Sequence, residues 1–125
     1  MLRDHDAIAT VAVKDLAAAE KFYSDVLGLE KKQDGGNEAL TYTTGHTVML
    51  VYQSQFARTN KATAVNWSVG KELDAIVADL KSKGVTFEHY DMPGVERHGD
   101  IHSAMGMRMV WFKDPDGNIH SIMDY

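Results

Sequence analysis

Two histidines, His98 and His102, stand four residues apart beside Glu96 and Asp100, and a third, His120, lies in the closing stretch FKDPDGNIHSIMDY. Imidazoles and carboxylates at such spacing are the donors of a zinc or manganese centre. On a helix, an i, i+4 pair of histidines would share one face, but this segment carries Gly94 and Gly99 and is expected to be a polar loop with exposed histidines, closing over whatever cleft the fold provides. In the closing stretch, Asp114-Pro115-Asp116-Gly117 is a tight turn between two apolar runs, which predicts a hairpin ending in a strand. An inward-facing acid or imidazole would be the reactive group on such a strand. Alternation puts Ser121 on one face and His120 on the other, where a hydrogen-bonded, partly buried imidazole is expected. Glu38, Glu88 and His89 have no spacing that marks an acid and base pair, His46 falls in an exposed turn, and no Ser-His-Asp set, phosphate loop or dinucleotide fingerprint is present.

The elements that must position these residues come in two rounds. Ile8 to Val13 is a β-branched run ending at Asp15, a good N-cap, and Ala19, Phe22, Tyr23, Val26 and Leu27 follow at helical spacing up to Gly28. Leu29 to Gln33, Ala39 to Thr43 and Thr47 to Gln53 read as strands, parted by Asp34-Gly35-Gly36-Asn37 and Gly45-His46. The order then recurs. Thr63 to Val69 is a strand; Leu73, Ile76, Val77 and Leu80 form a helical stripe ended by Gly84; Val85 to Tyr90, Met107 to Phe112 and Asn118 to Met123 are strands. An offset of 56 residues sets Val13 on Val69 and Gly28 on Gly84, while an offset of 72 sets Gly45 on Gly117, the difference being a longer loop from Asp91 to about Gly106. A βαβββ unit occurring twice predicts an α+β fold in a single domain over residues 1–125, with modules at 6–53 and 62–125 forming a curved half-barrel sheet around a cleft.

Composition narrows the partners. With 44% hydrophobic residues in 125, one core can be buried, and a net charge of -5 offers no footprint for nucleic acid or an anionic membrane. The absence of cysteine excludes disulfides and thiolate sites. Charges crowd the first residues where a leader needs an apolar core, and no run approaches the roughly 20 apolar residues of a membrane span, so a soluble cytoplasmic protein is expected.

Strand parity predicts the cleft wall: Ile8, Thr10 and Ala12; Met49 and Val51; Ala64, Asn66 and Ser68; Met107, Met109 and Trp111; Ile119, Ser121 and Met123. Such a wall is apolar and methionine-rich with a few hydroxyl and amide groups, as in a pocket for a small, partly aromatic ligand. The same composition also suits a filled core or a dimer interface.

The duplicated unit, with VAVKDLAAAEKFYSDVLGLE near the start and WFKDPDGNI near the end, resembles the vicinal oxygen chelate superfamily, which includes glyoxalase I, extradiol dioxygenases, and fosfomycin- and bleomycin-resistance proteins. The resemblance implies four metal-ligand positions, falling here on about Ile8, Met49, Ala64 and Ser121; among these and their neighbours only His120 could ligate. It therefore implies a member without a metal or other cofactor: a homodimeric small-molecule binding protein of the bleomycin-resistance type. The alternative is a metal-dependent lyase or dioxygenase that recruits His98, His102 or His120 with Glu96 or Asp100. A structural role with a filled cleft is the third reading. The linker from Ser54 to Ala62 would decide whether the modules close within one chain or exchange across a dimer.

Overall fold

The computed structural model describes residues 1–32 and 39–125. They fall into two compact units, the first comprising Met1–Asn60 with Pro115–Asn118 and the second Lys61–Asp114 with Ile119–Tyr125. The expected turn Asp34-Gly35-Gly36-Asn37, together with Gln33 and Glu38, lies outside the described residues.

In the first unit, β1 (Ala9–Val13), β2 (Glu30–Lys31), β3 (Ala39–Thr44) and β4 (Thr47–Gln53) form a sheet ordered β1-β4-β3-β2. The first and last strands pair in parallel, Val11 opposite Val51, and the rest are antiparallel. Helix α1 (Leu16–Glu20) starts where Asp15 accepts the backbone N–H groups of Ala17 and Ala18, then widens into a π-helical stretch over Lys21–Val26. Spacing alone had suggested a uniform helix up to Gly28. It reports which positions are apolar and cannot register that Leu27 donates to the Phe22 carbonyl, one residue further back than an α-helix requires. Gly28, at φ 71°, ends the helix as expected. The helix covers the sheet through Tyr23, whose ring lies 5.9 Å from that of Tyr42, and through Ser24, 3.1 Å from the Tyr42 hydroxyl.

In the second unit, β5 (Thr63–Ser68), β6 (Phe87–Glu88), β7 (Glu96–His98), β8 (Ile101–Ala104), β9 (Met107–Lys113) and β10 (Ile119–Met123) run in the order β5-β10-β9-β8-β7, with β6 also on β9. Again the outermost strands in sequence, β5 and β10, pair in parallel. Helix α2 (Leu73–Ser82) buries Leu73, Val77 and Leu80 of its predicted stripe and ends on Gly84 with the paired bonds Gly84 N–H to the Lys81 carbonyl and Val85 N–H to the Leu80 carbonyl. The segment expected to be one long loop holds the β7–β8 hairpin. Its residues are mostly polar and its two strands short, so it lacks a hydrophobic signature of its own; pairing of β8 with β9 holds it in place.

The D-P-D-G-N turn does more than reverse the chain. The side chain of Asp116 is only 2% exposed, and its Oδ1 accepts from the backbone N–H of Lys14 at 3.1 Å and from Arg58 Nε at 2.8 Å. Asn118 Nδ2 donates to the carbonyl of Ala12 at 2.8 Å. These bonds explain why residues 115–118 belong to the first unit although the strands on either side belong to the second. Replacing Asp116 with Ala leaves the Lys14 N–H without this acceptor, and urea denaturation should show a loss of about 2 kcal/mol. A loss below about 0.5 kcal/mol, typical of an ordinary surface change, would mean that the turn is passive.

Candidate functional site

In each unit the strand register decides which side chains form the core and which form an open face. In the first unit Ala9 pairs with Met49 and Val11 with Val51, and on the other side of β4 Met49 pairs with Tyr42 and Val51 with Leu40. This row lies on the helix-covered face, and Met49 and Val51 are 1% and 0% exposed. The opposite row is Thr10 with Leu50, Ala12 with Tyr52, and Leu50 with Thr41. The expected wall is thus corrected at two positions: Met49 and Val51 are core and do not share a face with Thr10. Parity had been assigned strand by strand, and the parallel register sets β1 and β4 one residue out of phase with that assignment. Ile8 precedes β1 and is 54% exposed. A hollow of about 400 Å³ in this unit is lined by Lys14, Gln53, Ser54 and Gln55 and shares no residue with the expected wall.

The second unit brings most of its expected residues together. Ser121 lies opposite Asn66 on one side and Trp111 on the other; Met123 lies opposite Ser68 and Met109; Met107 follows on the same face of β9. Ser121 Oγ donates to Asn66 Oδ1 at 2.7 Å, and Asn66 Nδ2 donates to the Tyr125 hydroxyl at 3.1 Å. The Ser68 hydroxyl donates to the Tyr125 carbonyl. Ala64 is exposed and has the same parity as Asn66 and Ser68. Ile119 is buried, and the register shifts at a bulge between it and His120. The face therefore carries a hydroxyl and amide network beside thioether and indole surface.

The other face of the same sheet is core. Arg108, in phase with Val110 and Phe112, grips Asp74 of α2 through two bonds of 3.0 and 2.9 Å, which locates the helix on that side. The guanidinium holds the Asp74 carboxyl below the usual carboxylate range. His120 belongs to this core, as alternation predicted. It is fully buried, stacks on Phe112 with ring centroids 4.9 Å apart, and accepts the Trp67 indole N–H at Nδ1 over 3.1 Å. Burial pushes its pKa down to about 4.

The histidines of the hairpin do not converge. His98 pairs with Ile101 and is mostly exposed, 3.7 Å from Glu96. Asp100 is engaged by His89 Nε2 at 2.8 Å and Lys81 Nζ at 2.9 Å, which together hold its carboxyl below its ordinary pKa. His102, expected to be an exposed loop residue, is completely buried. It pairs with Met109, and its ring sits edge-on to Trp111 at 4.8 Å and 6.3 Å from Tyr90. Among the described residues no group of three or more His, Asp or Glu side chains is placed to hold a metal ion. Sequence reasoning singled out His102 as an exposed loop residue and named Tyr90 only as the end of a strand; the alternation of Ile101, His102, Ser103 and Ala104 between Gly99 and Gly106 was the available sign that His102 lies on a strand.

Comparison with known proteins gives a consistent picture. Residues 6–121 match the family described as Glyoxalase/Bleomycin resistance protein/Dioxygenase superfamily. Among solved structures, the chain is similar to a lactoylglutathione lyase from Agrobacterium tumefaciens, at 22% identity over 95% of this chain and 93% of that one, with a TM-score of 0.67. It is also similar to the fosfomycin resistance protein FosX from Mesorhizobium loti, at 10% identity over 98% and 92% of the two chains and a TM-score of 0.69. A third similar structure is an oxidase, ChaP-H2, at 23% identity over 97% and 93% and a TM-score of 0.71. At these identities the structures speak for the fold alone.

His120 supplies a pH prediction. Its folded pKa of about 4 lies below the 6.5 of a free imidazole, so the unfolded chain takes up the proton first. The stability concerned is present above 6.5 and is lost as pH falls through the window down to about 4. Between about pH 7 and pH 4.5, the wild type should lose about 2 to 3 kcal/mol more than His120→Gln, which keeps an acceptor for Trp67 but does not titrate. Equal losses in urea denaturation would mean that the folded chain takes up the proton as readily as the unfolded one.

Proposed function

Since the chain belongs to the glyoxalase/bleomycin resistance protein/dioxygenase superfamily, we propose that it is a member that binds a small, planar, partly aromatic molecule without a metal ion, working as a cytoplasmic homodimer. The carrying observation is the face of the second unit's sheet turned away from α2, where the exposed Asn66 and Ser68 and the buried Ser121 set hydrogen-bonding groups beside the buried Met109 and the half-buried Met123 and Trp111. Indole and thioether surface accepts a flat apolar ring, and the amide and hydroxyls orient its polar edge.

The donor chemistry argues for the same reading. The family's ligand positions fall here on about Ile8, the Val48-Met49-Leu50 stretch, Ala64 and Ser121. The register places Val48 and Leu50, rather than Met49, on the open face of β4, and neither carries a ligating atom. One hydroxyl among aliphatic side chains does not make a site for a divalent ion, which needs three or four N, O or S donors from the protein. The acidic charge of -5 suits an uncharged or cationic ligand better than an anionic one. No helix is long and apolar enough to cross a membrane among the described residues.

Binding is tested by thermal denaturation in excess EDTA with coumarin, a planar probe with one polar edge. At roughly 100 times its Kd the probe should add about 2.7 kcal/mol of stability, and Trp111→Ala should remove most of that gain. A melting temperature unmoved by coumarin, and by other flat aromatics of similar size, would point to a filled face with a structural role.

A further inference from the structure

We propose that His102 is the polar anchor of this binding face: a neutral imidazole that offers its Nδ1–H to a carbonyl oxygen on a planar ligand lying against Trp111. The proposal deepens the binding reading above and rests on it.

The tautomer follows from the backbone. Tyr90 N–H donates to His102 Nε2 at 3.0 Å, so in the neutral ring the proton resides on Nδ1. Burial lowers the pKa of the ring and keeps it neutral near pH 7. The Asp100 and Met109 carbonyls pull in the opposite direction, yet neither meets Nδ1 in hydrogen-bonding geometry. Nδ1 is the one buried side-chain polar atom without a hydrogen-bond partner among the described residues. A buried donor left unpaired costs about 1 to 3 kcal/mol, and the fold maintains this one beside the indole that the ligand would stack on.

Position and specificity agree. The pairing of His102 with Met109 puts the ring on the same face as Trp111 and Ser121. The half-buried Tyr90 ring stands edge-on to Trp111 at 5.2 Å and is the cover that an entering ligand would turn aside. A ligand with a carbonyl satisfies Nδ1–H; one of the same shape without an acceptor leaves the donor buried and unpaired. Sites built this way discriminate against the analogue that lacks the polar atom.

Acetophenone and α-methylstyrene make the test, since they differ chiefly in a carbonyl oxygen replaced by a methylene. Each is titrated into the full-length, nitrogen-15-labelled protein while the indole N–H signals of Trp111 and Trp67 and the histidine ring nitrogens are followed by NMR. Acetophenone should move the Trp111 indole and the His102 Nδ1 signal, with Trp67 on the core face as the unmoved reference. Its affinity should exceed that of α-methylstyrene by about tenfold, the worth of one hydrogen bond. In His102→Phe the preference should vanish; the wild-type comparison stands even if that variant folds poorly. Equal affinities in the wild type would leave the binding face in place and overturn the role of His102. If neither probe moves Trp111, the binding reading and the anchor fall together.

Discussion

Parallel pairing between the first and last strands of each unit is the constraint on which the rest of the structure depends. Once Val11 stands opposite Val51, and His120 opposite Val65, every second side chain along four strands is committed to the helix-covered core and every other one to the face turned away from the helix. A slip of one residue would exchange Met49 for Leu50 and His120 for Ser121, placing a titratable ring among the side chains of the opposite face and a hydroxyl beneath α2. The hydrophobic demand of Tyr42, Met49 and Val51 in one unit, and of Val110, Phe112 and Ile122 in the other, makes such a slip costly.

Polar groups inside this framework divide by whether their hydrogen bonds are complete. Asp116 and His120 are buried and bonded, one closing a turn onto β1 and the linker, the other filling the space between Trp67 and Phe112. Their chemistry is spent on structure, which is why a histidine in the last strand is not by itself a sign of catalysis. His102 differs: one ring nitrogen accepts from the backbone N–H of Tyr90, and the other, in a ring packed edge-on to Trp111, has no hydrogen-bond partner. Incomplete satisfaction, where the other buried side-chain polar atoms of the described residues are paired, is the physical mark that separates it from the other five histidines of the chain.

Much of the fold was legible because it repeats. The stripe Leu73, Val77 and Leu80, the glycine stops at Gly28 and Gly84, and the alternating runs at Thr47–Gln53 and Met107–Lys113 each carry a strong local signal, and the same order of elements occurs twice. The open face of the second unit was legible for the same reason: Asn66, Ser121, Trp111 and Met109 follow from alternation within single strands. Less legible were features that arise between strands. Parity within β1 and β4 says nothing about their mutual phase, so Met49 and Val51 were expected on the wrong face. The β7–β8 hairpin draws its stability from β9 and hid behind a polar composition, taking the buried His102 with it. The acceptor role of Asp116 toward Lys14 and Arg58 spans the length of the chain, beyond the reach of any local pattern.

The binding face we propose depends on strand register, whereas a metal site on this scaffold would depend on single side chains, so the two can be tested apart. Elemental mass spectrometry tests the metal site most directly. Untagged protein purified without chelator would be equilibrated with zinc, manganese, nickel and iron(II) in turn and dialysed. Retention below about a tenth of an equivalent is the result expected from a donor set this poor. Retention of about one equivalent of any of these ions would contradict it and would direct attention to lyase and dioxygenase chemistry.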